Sequence, residues 1–272
     1  MILNIIIAIA VLGGIGLVFG IVLAVSSKIL TVEENPLLQP LTDALPGANC
    51  GGCGCSGCAA YAEAVLSGSA SVGQCTVGGE AASAKMAEIL GMDTVPDTVR
   101  TVAFVRCTGL GHDTTKYTYA GIEDCLAATR LPGGGPIACS YGCLGYGSCE
   151  KACPYGAIHV ENFVAKVDEE KCTGCSICVS TCPRHLIRLI PYGDETVVPC
   201  ANKSKANLTR KVCPIGCIGC ALCTRVCPTK AITVKDNLAR IDYSLCTHCG
   251  ACAEKCPRKL ISVITGGKVM ID

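Results

Sequence analysis

Residues 217–228 read CIGCALCTRVCP, and residues 246–257 read CTHCGACAEKCP. Both stretches have the spacing C-x2-C-x2-C-x3-C-P, which is typical of cysteines that bind a pair of cubane iron–sulfur clusters. In this arrangement three closely spaced thiolates bind one cluster, and the fourth binds the other. The spacing therefore predicts one [4Fe-4S] cluster on Cys217, Cys220, Cys223 and Cys256, and a second on Cys246, Cys249, Cys252 and Cys227.

A zinc site is the main alternative for closely spaced cysteines. Zinc modules pair two C-x2-C knuckles around one ion, and they have no use for three-cysteine runs that end in Cys-Pro. Because both complete runs are present, the pattern favours iron–sulfur clusters over zinc.

The same pattern occurs a second time upstream, at a constant offset equal to the separation of Cys139 and Cys213. A fixed offset marks a duplicated structural unit, and short alternating apolar stretches in both copies predict strands. We therefore expect an α+β fold with two tandem ferredoxin-like modules, module 1 at residues 137–198 and module 2 at residues 199–272. The upstream cysteines that match the downstream copy are Cys139, Cys143, Cys149, Cys153, Cys172, Cys175, Cys178 and Cys182.

One position breaks the match between the two copies. Tyr146 stands where the downstream copy has Cys220, so module 1 lacks one ligand of the standard run. Cys139, four residues before Cys143, is the candidate substitute. Cys139 and Cys213 occupy equivalent repeat positions, so an exchange of their roles stays open. The predicted sets of module 1 are Cys139, Cys143, Cys149 and Cys182 for one cluster, and Cys172, Cys175, Cys178 and Cys153 for the other.

A third cysteine-rich stretch lies nearer the N-terminus. Residues 47–58 read GANCGGCGCSGC, and Cys75 follows. A helix predicted at residues 59–66 would place these thiolates and backbone N–H groups at a helix N-terminus, which suits an anionic cluster. We predict a helical four-Cys domain at residues 47–95, with Cys50, Cys53, Cys58 and Cys75 as ligands of one [4Fe-4S] cluster. Cys55 falls outside the spacing and is interpreted as a spacer.

The N-terminal residues predict a membrane anchor. Residues 2–25 contain no charged side chain and are long enough for one helical crossing. A cleaved signal peptide is the alternative, but the stretch has no basic n-region. We assign residues 1–27 to a single transmembrane helix and residues 28–46, which are rich in proline, to a linker. Residues 96–136 are a cysteine-containing connecting segment.

The cysteine count and the distribution of charge indicate on which side of the membrane the metal-binding domains lie and which charge a partner would carry. An odd number of cysteines, 25 in 272 residues, with cluster spacings indicates thiolates that are kept reduced, hence the cytoplasmic side. From Cys200 onward there are 12 basic and 4 acidic residues, against 11 and 18 before it. Module 2 therefore carries +8 and the rest −7, and its cations could either attract an acidic partner or offset the cluster charge.

The order of anchor, GANCGGCGCSGC motif and ferredoxin repeats resembles the B subunit of the Rnf family, the membrane-bound ion-translocating ferredoxin:NAD+ oxidoreductases. The likeness covers nearly the whole chain, and Cys50, Cys53, Cys58 and Cys75 match the family's four-Cys domain. The doubled module resembles the long form of acetogens and clostridia. The resemblance implies a translocase component in the plasma membrane that accepts electrons from reduced ferredoxin and relays them through [4Fe-4S] clusters, beside the A, C, D, E and G subunits.

Five clusters use most of the cysteines. Leaving out Cys55, the four that remain could bind a sixth cluster, and the alternative is that they are inert buried thiols. These four are Cys107, Cys125, Cys200 and Cys213.

No catalytic residue, flavin site or nicotinamide site is predicted, because no dinucleotide fingerprint is present, and we expect no nucleic-acid partner. Electron transfer is therefore the predicted activity of this chain. Two other functions stay open: a polyferredoxin subunit of a membrane-bound hydrogenase, and a structural scaffold stiffened by clusters.

Overall fold

This computed structural model describes residues 2–29, 35–92, 100–109, 115–193, 196–265 and 268–270. The helices are α1 Ile2–Ile29, α2 Leu38–Asp43, α3 Cys58–Leu66, α4 Gly79–Leu90, α5 Cys125–Thr129, α6 Ser148–Lys151, α7 Ile177–Thr181, α8 Ala206–Val212, α9 Leu222–Val226 and α10 Ala251–Glu254. The strands are β1 Thr101–Val105, β2 Ile158–Glu161, β3 Val164–Val167, β4 Ile187–Pro191, β5 Thr196–Val197, β6 Ile232–Lys235, β7 Leu238–Ile241, β8 Ser262–Thr265 and β9 Lys268–Met270. The mixture of helices and strands agrees with the predicted α+β class.

Helix α1 covers the residues predicted to anchor the chain. Its side chains at residues 12–25 are exposed to solvent in the isolated chain. Within the described residues, no helix meets the combined length and hydropathy of a membrane span.

The four-Cys domain is built from α2, α3 and α4. Leu41 of α2, Tyr61 of α3 and Met86 of α4 are almost fully buried in one apolar cluster. Helix α2 lies in the segment predicted to be a linker, so residues 35–46 belong to the domain; residues 30–34 of that segment lie outside the described residues. Proline content suggested a linker, but Pro40 stands in the first turn of α2, where its missing N–H has no helical partner to lose.

The duplication is visible in the hairpins of the two modules. Ile158 pairs with Val167 in β2–β3, and Ile232 pairs with Ile241 in β6–β7, so the registers match at the offset of the repeat. Both hairpins turn through two residues with positive φ: 49° and 60° at Asn162 and Phe163, and 55° and 58° in the second copy. Such pairs are typical of type I′ turns, whose twist matches that of the strands.

Each module also has a strand that lies upstream of its predicted boundary. Strand β1 pairs antiparallel with β4, although it belongs to the segment predicted only to connect domains. Likewise β5 pairs with β8, so module 2 begins before residue 199. Because β1 and β4 are far apart in the sequence, cysteine spacing contains no sign of their pairing.

The modules share a continuous interior. One buried cluster contains Val102 and Phe104 of β1, Leu186 and Ile187 near β4, and also Val197 and Ile264 of module 2. The cysteines of both modules therefore sit on a common framework.

Candidate iron–sulfur centres

The structure brings together the four cysteines predicted as ligands in the N-terminal domain. Burial raises the pKa of the Cys75 thiol, and the thiolates of Cys53, Cys58 and Cys50 raise it further, while the Gly78 N–H opposes the shift. That N–H donates to Cys75 Sγ over 3.3 Å. The Cys55 side chain lies beside Cys53 and is not among the thiols that face Cys75.

Local hydrogen bonds hold the glycine-rich loop in this shape. The Cys58 N–H donates to Asn49 Oδ1 over 2.8 Å, which satisfies a free donor at the start of α3. A Cβ on Gly57 would lie 2.8 Å from the same oxygen, so this close approach requires glycine. The Tyr61 hydroxyl donates to Ser71 O and accepts from the Gln74 N–H, and these contacts fix the chain that leads to Cys75.

Module 2 groups its cysteines as the spacing predicts. One cavity is lined by Cys217, Cys220, Cys223 and Cys256, and a second by Cys227, Cys246, Cys249 and Cys252. Burial and the facing thiolates raise the pKa of Cys223 and of Cys252 to about 11. The cysteine before each proline thus faces the opposite set, which is the crossing of the two-cluster run.

One of the two sets in module 1 also groups as predicted. Burial raises the pKa of Cys178 to about 12, and the neighbouring thiolates of Cys172, Cys175 and Cys153 contribute to the shift. Backbone N–H groups point at two of these sulfurs, from Ala103 to Cys172 over 3.3 Å and from Ala157 to Cys153 over 3.4 Å.

The other set of module 1 differs from the prediction. Burial raises the pKa of Cys149 to about 12, and the contributing thiolates belong to Cys143, Cys125 and Cys182. These four thiols line one cavity, and Cys139 is not part of its lining. Cys125, which the sequence made a candidate either for a sixth site or for an inert thiol, therefore lies with the set in which Tyr146 leaves a position open, where Cys139 was expected.

A capping interaction explains how Cys125 reaches this position. Asp124 caps α5 by accepting from the Ala127 N–H over 2.8 Å, and its second oxygen accepts from the Ser148 hydroxyl over 2.8 Å. The same hydroxyl accepts from the Cys125 N–H over 2.8 Å. Because Ser148 begins α6, which carries Cys149, these bonds set Cys125 beside Cys149. The acidic N-cap before a cysteine was the available sequence signal, but it does not reveal which helix lies opposite.

The remaining thiols meet between the modules. Cys107, Cys139, Cys200 and Cys213 line a separate cavity together with apolar side chains such as Ile137 and Leu260. Three of these four are among the candidates that the sequence offered for a sixth site, and Cys139 stands here in place of Cys125.

The donor chemistry of these groups suits clusters. Buried thiols with raised pKa keep their protons until metal displaces them, so metal binding and proton release are coupled. In the described ranges, no three Cys, His or carboxylate side chains converge as ligands of one metal ion do. Each thiolate of a cubane cluster binds a different iron atom, so cluster ligands surround a volume and need not converge on one point.

The thiol groups form a contiguous series. Cys50 of the four-Cys domain raises the pKa of Cys175 after the larger effect of burial, and Thr76 Oγ1 donates to Gly174 O over 3.2 Å. Within the modules, α6 contacts α7 and α9 contacts α10. Cys200 lies close enough to Cys217 for the two thiolates to interact.

His248 lies within a ligand loop of module 2 but supports the backbone there. Its Nδ1 accepts from the Thr196 N–H over 3.3 Å, and its ring stacks with Tyr243 at a centroid distance of 6.5 Å.

Comparisons with known proteins agree with this geometry. Three family models match: "Putative Fe-S cluster" at residues 45–77, "4Fe-4S binding domain" at residues 165–188 and "4Fe-4S dicluster domain" at residues 216–260. The chain is 44% identical to the B subunit of the Na(+)-translocating ferredoxin:NAD(+) oxidoreductase complex of Acetobacterium woodii, over 89% of this chain and 73% of that protein.

Two further relatives extend the match. Identity is 44% with the proton-translocating counterpart of Clostridium ljungdahlii, over 85% of this chain and 82% of the relative. It is 40% with the B subunit of the ion-translocating oxidoreductase complex of Methanosarcina acetivorans, over 88% and 91%. The resemblance read from the cysteine motifs is confirmed, and the chain belongs to the B-subunit family of the ion-translocating ferredoxin:NAD+ oxidoreductase (Rnf) complexes.

Proposed function

We propose that this chain receives electrons from reduced ferredoxin at module 2 and passes them through successive thiolate-bound clusters to the four-Cys domain beside the membrane. The chain is an electron-transfer subunit of a ferredoxin:NAD+ oxidoreductase complex, as its relatives and its 4Fe-4S domains indicate. The direction of transfer, the docking surface and the ligands are the proposal. The bound clusters would supply one-electron chemistry.

The contiguity of the thiol groups is the observation that carries this proposal. Electron transfer along a protein requires redox centres that follow one another without a long gap. The cysteine groups run from module 2 through module 1 to Cys50 and Cys75. The Cys139 and Cys200 thiols interact electrostatically where the modules meet, and the Cys50 and Cys175 thiols do so at the boundary with the four-Cys domain. A scaffold stiffened by clusters would have no need of such neighbours.

We assign five clusters to the chain. The ligand sets are Cys50, Cys53, Cys58 and Cys75; Cys153, Cys172, Cys175 and Cys178; Cys125, Cys143, Cys149 and Cys182; Cys217, Cys220, Cys223 and Cys256; and Cys227, Cys246, Cys249 and Cys252. Backbone N–H groups directed at sulfur, such as those of Ala103 and Ala157, would stabilise the thiolate ligands.

Exposure supports module 2 as the receiving end. All cysteines lie in the described ranges, and Cys220 and Cys249 are the two that are exposed; the others are buried or half-buried. A thiolate at the surface brings its cluster within reach of an external partner. The basic charge of module 2 would steer an acidic ferredoxin toward this face.

The basic residues of module 2 do not all serve docking. Arg258 is half-buried, and its guanidinium donates to Cys213 O over 2.8 Å, so we assign it a structural role. Lys255 and Lys259 are exposed and belong to the proposed docking surface.

The position of the chain in a membrane complex rests on its N-terminus. We infer that α1 is a single-pass anchor in the plasma membrane, because residues 2–25 are uncharged and apolar. The cluster domains would face the cytoplasm, where thiolates stay reduced. The A, C, D, E and G subunits of the complex are the expected partners.

Electron transfer across the whole chain can be tested with the purified full-length protein in detergent. Reduced ferredoxin should reduce the clusters of all domains. Rapid-freeze electron paramagnetic resonance measures which clusters are reduced at each time. A Cys246→Ser/Cys249→Ser variant, which lacks two ligands in module 2, should slow reduction of the four-Cys domain by ferredoxin. A small uncharged reductant should still reduce that domain. Unchanged ferredoxin kinetics in the variant would place the receiving end outside module 2.

A further inference from the structure

We propose that Cys107 and Cys139 of module 1 bind a sixth [4Fe-4S] cluster together with Cys200 and Cys213 of module 2. Each module supplies two ligands, so the site exists only where the modules meet. This inference rests on the proposed cluster content of the chain and adds to it a site that joins the two modules.

One pair of ligands is related by the duplication. Cys139 and Cys213 are equivalent positions of the two copies, and an equivalent arginine in each copy holds them. Arg184 Nη1 donates to Cys139 O over 2.9 Å, and Arg258 Nη2 donates to Cys213 O over 2.8 Å. Each arginine directly follows the Cys-Pro pair that ends a cysteine run. The residue after a ligand of one cluster therefore positions a cysteine of the proposed sixth site.

A glycine packs closely against the turn of each of these cysteines. A Cβ added to Gly142 would lie 3.0 Å from Ile137 Cδ1 and 3.4 Å from the Cβ of Cys139, and one added to Gly216 would lie 2.7 Å from Thr209 Cγ2 and 3.3 Å from the Cβ of Cys213. The turns that carry the two cysteines therefore leave little room for a side chain in either module.

The other pair is related by strand pairing instead of by the sequence offset. Phe104 of β1 pairs with Arg188, and Val197 of β5 pairs with Ser262, which is the equivalent of Arg188 in the second copy. Cys107 lies three residues after Phe104, and Cys200 lies three residues after Val197. Their backbones turn alike: the Cys107 N–H donates to Val105 O over 2.9 Å, and the Cys200 N–H donates to Val198 O over 2.8 Å.

The hydrogen bonds to these two sulfurs repeat as well. The Cys143 N–H donates to Cys107 Sγ over 3.4 Å, and the equivalent Cys217 N–H faces the Cys200 thiol. The N–H two residues after each cysteine also faces its sulfur, from Gly109 in module 1 and from Asn202 in module 2. Such N–H groups favour the thiolate form that binds metal.

One side chain connects the two halves of the site. Asn202 is buried, and its Nδ2 donates to Cys139 Sγ over 3.7 Å while its backbone N–H donates to Cys200 Sγ over 3.4 Å. The guanidinium of Arg184 lies near Cys139 and offers positive charge to a thiolate group. Inert buried thiols would not require paired N–H donors, a shared amide and a cation.

Iron content distinguishes this site from the alternative grouping, in which Cys125 belongs to the sixth site and Cys139 to module 1. Cys107→Ser/Cys139→Ser should remove about four iron atoms per chain, because both residues belong to one cluster. Cys107→Ser/Cys125→Ser should remove about eight, because the residues belong to two clusters. The alternative grouping gives the reverse: about eight for the first variant and about four for the second.

Matched variants complete the test. Cys200→Ser/Cys213→Ser should lose the same iron as Cys107→Ser/Cys139→Ser, and Cys55→Ser should lose none. Wild-type iron and acid-labile sulfide provide a measurement that does not depend on the folding of a variant. About 24 iron atoms per chain support the sixth cluster, and about 20 overturn it.

Failure of this inference can be told apart from failure of the proposed function. Wild-type iron of about 20 atoms per chain with reversible reduction by ferredoxin would overturn the sixth site and retain the relay. Full iron content without reduction by ferredoxin would overturn the relay and retain the site.

Discussion

Modules 1 and 2 have the same scaffold, but one position of their proposed ligand sets is occupied from different parts of the chain. In module 2 the thiol there belongs to Cys220 of its own run, whereas module 1 has Tyr146 at that position and Cys125 lines the cavity instead. The source of Cys125 is an insertion, because the stretch from Cys107 to Cys139 is more than twice as long as the equivalent stretch from Cys200 to Cys213. The comparison shows that equivalent places in a fold can be occupied by residues that no spacing rule aligns.

The replacement also changes how open the two sites are. Cys220 is exposed, but its counterpart Tyr146 is half-buried and packs against Tyr119 at a centroid distance of 5.1 Å. Ser148, whose hydroxyl donates to Asp124 Oδ2, also lines the cavity of this module. The corresponding centre of module 1 is thus covered by protein, which suits a site in the interior of an electron relay. The centre of module 2 is open and suits electron transfer from an external partner.

The largest effect should come from restoring the standard run in module 1. Cys125→Ser should lower iron content by about four atoms per chain, because it removes a ligand of a cubane cluster. Adding Tyr146→Cys to that variant should recover the iron, since the new thiol would stand where module 2 has Cys220. Iron and sulfide analysis with electron paramagnetic resonance would measure both steps.

The control for this rescue is Tyr146→Cys alone, which should leave iron content unchanged because Cys125 already fills the position. If Cys125→Ser keeps its full iron content, Cys125 is not a ligand and the two modules differ in another way.

A smaller effect is expected from charge at the exposed end of module 2. Lys255→Glu/Lys259→Glu should slow reduction by ferredoxin about tenfold at low salt, mainly through the association rate. The same charge change in Lys85→Glu/Lys151→Glu, outside module 2, should have little effect. Stopped-flow rates at several salt concentrations measure the difference, which should shrink as salt screens the charges. Equal rates in the two variants would remove module 2 as the docking site.

Sequence predicted what depends on local spacing and missed what depends on pairing across the chain. The sets of module 2, the four-Cys group and the α3 helix follow from short, continuous runs of sequence. Strand β1, helix α2 and the exchange of Cys125 with Cys139 depend on which distant surfaces meet. Cys139 stands four residues before Cys143, which made it the obvious substitute, but the tight turn at Gly142 and the bond from Arg184 direct it to the other module.

The smallest predicted effect compares the two arginines that follow the Cys-Pro pairs. Among the residues that the structure describes, Arg184 donates to three carbonyl oxygens, those of Gly134, Cys139 and Gly142, whereas Arg258 donates to one, Cys213 O. A hydrogen bond from a charged group contributes about 1.5–3 kcal/mol, so Arg184→Gln should destabilise the chain more than Arg258→Gln.

At about 2–4 °C per kcal/mol for a chain of this size, we expect Arg184→Gln to lower the thermal midpoint of the cluster absorbance by several degrees more than Arg258→Gln. Anaerobic melts at one fixed scan rate measure this difference, and Arg210→Gln on the exposed face of α8 is the control. Gly134, one of the three acceptors of Arg184, belongs to the insertion between Cys107 and Cys139. If both variants lower the thermal midpoint equally, the bond from Arg184 to the insertion adds no stability. The insertion would then serve to deliver Cys125 and would have no part in holding Cys139 at the junction of the modules.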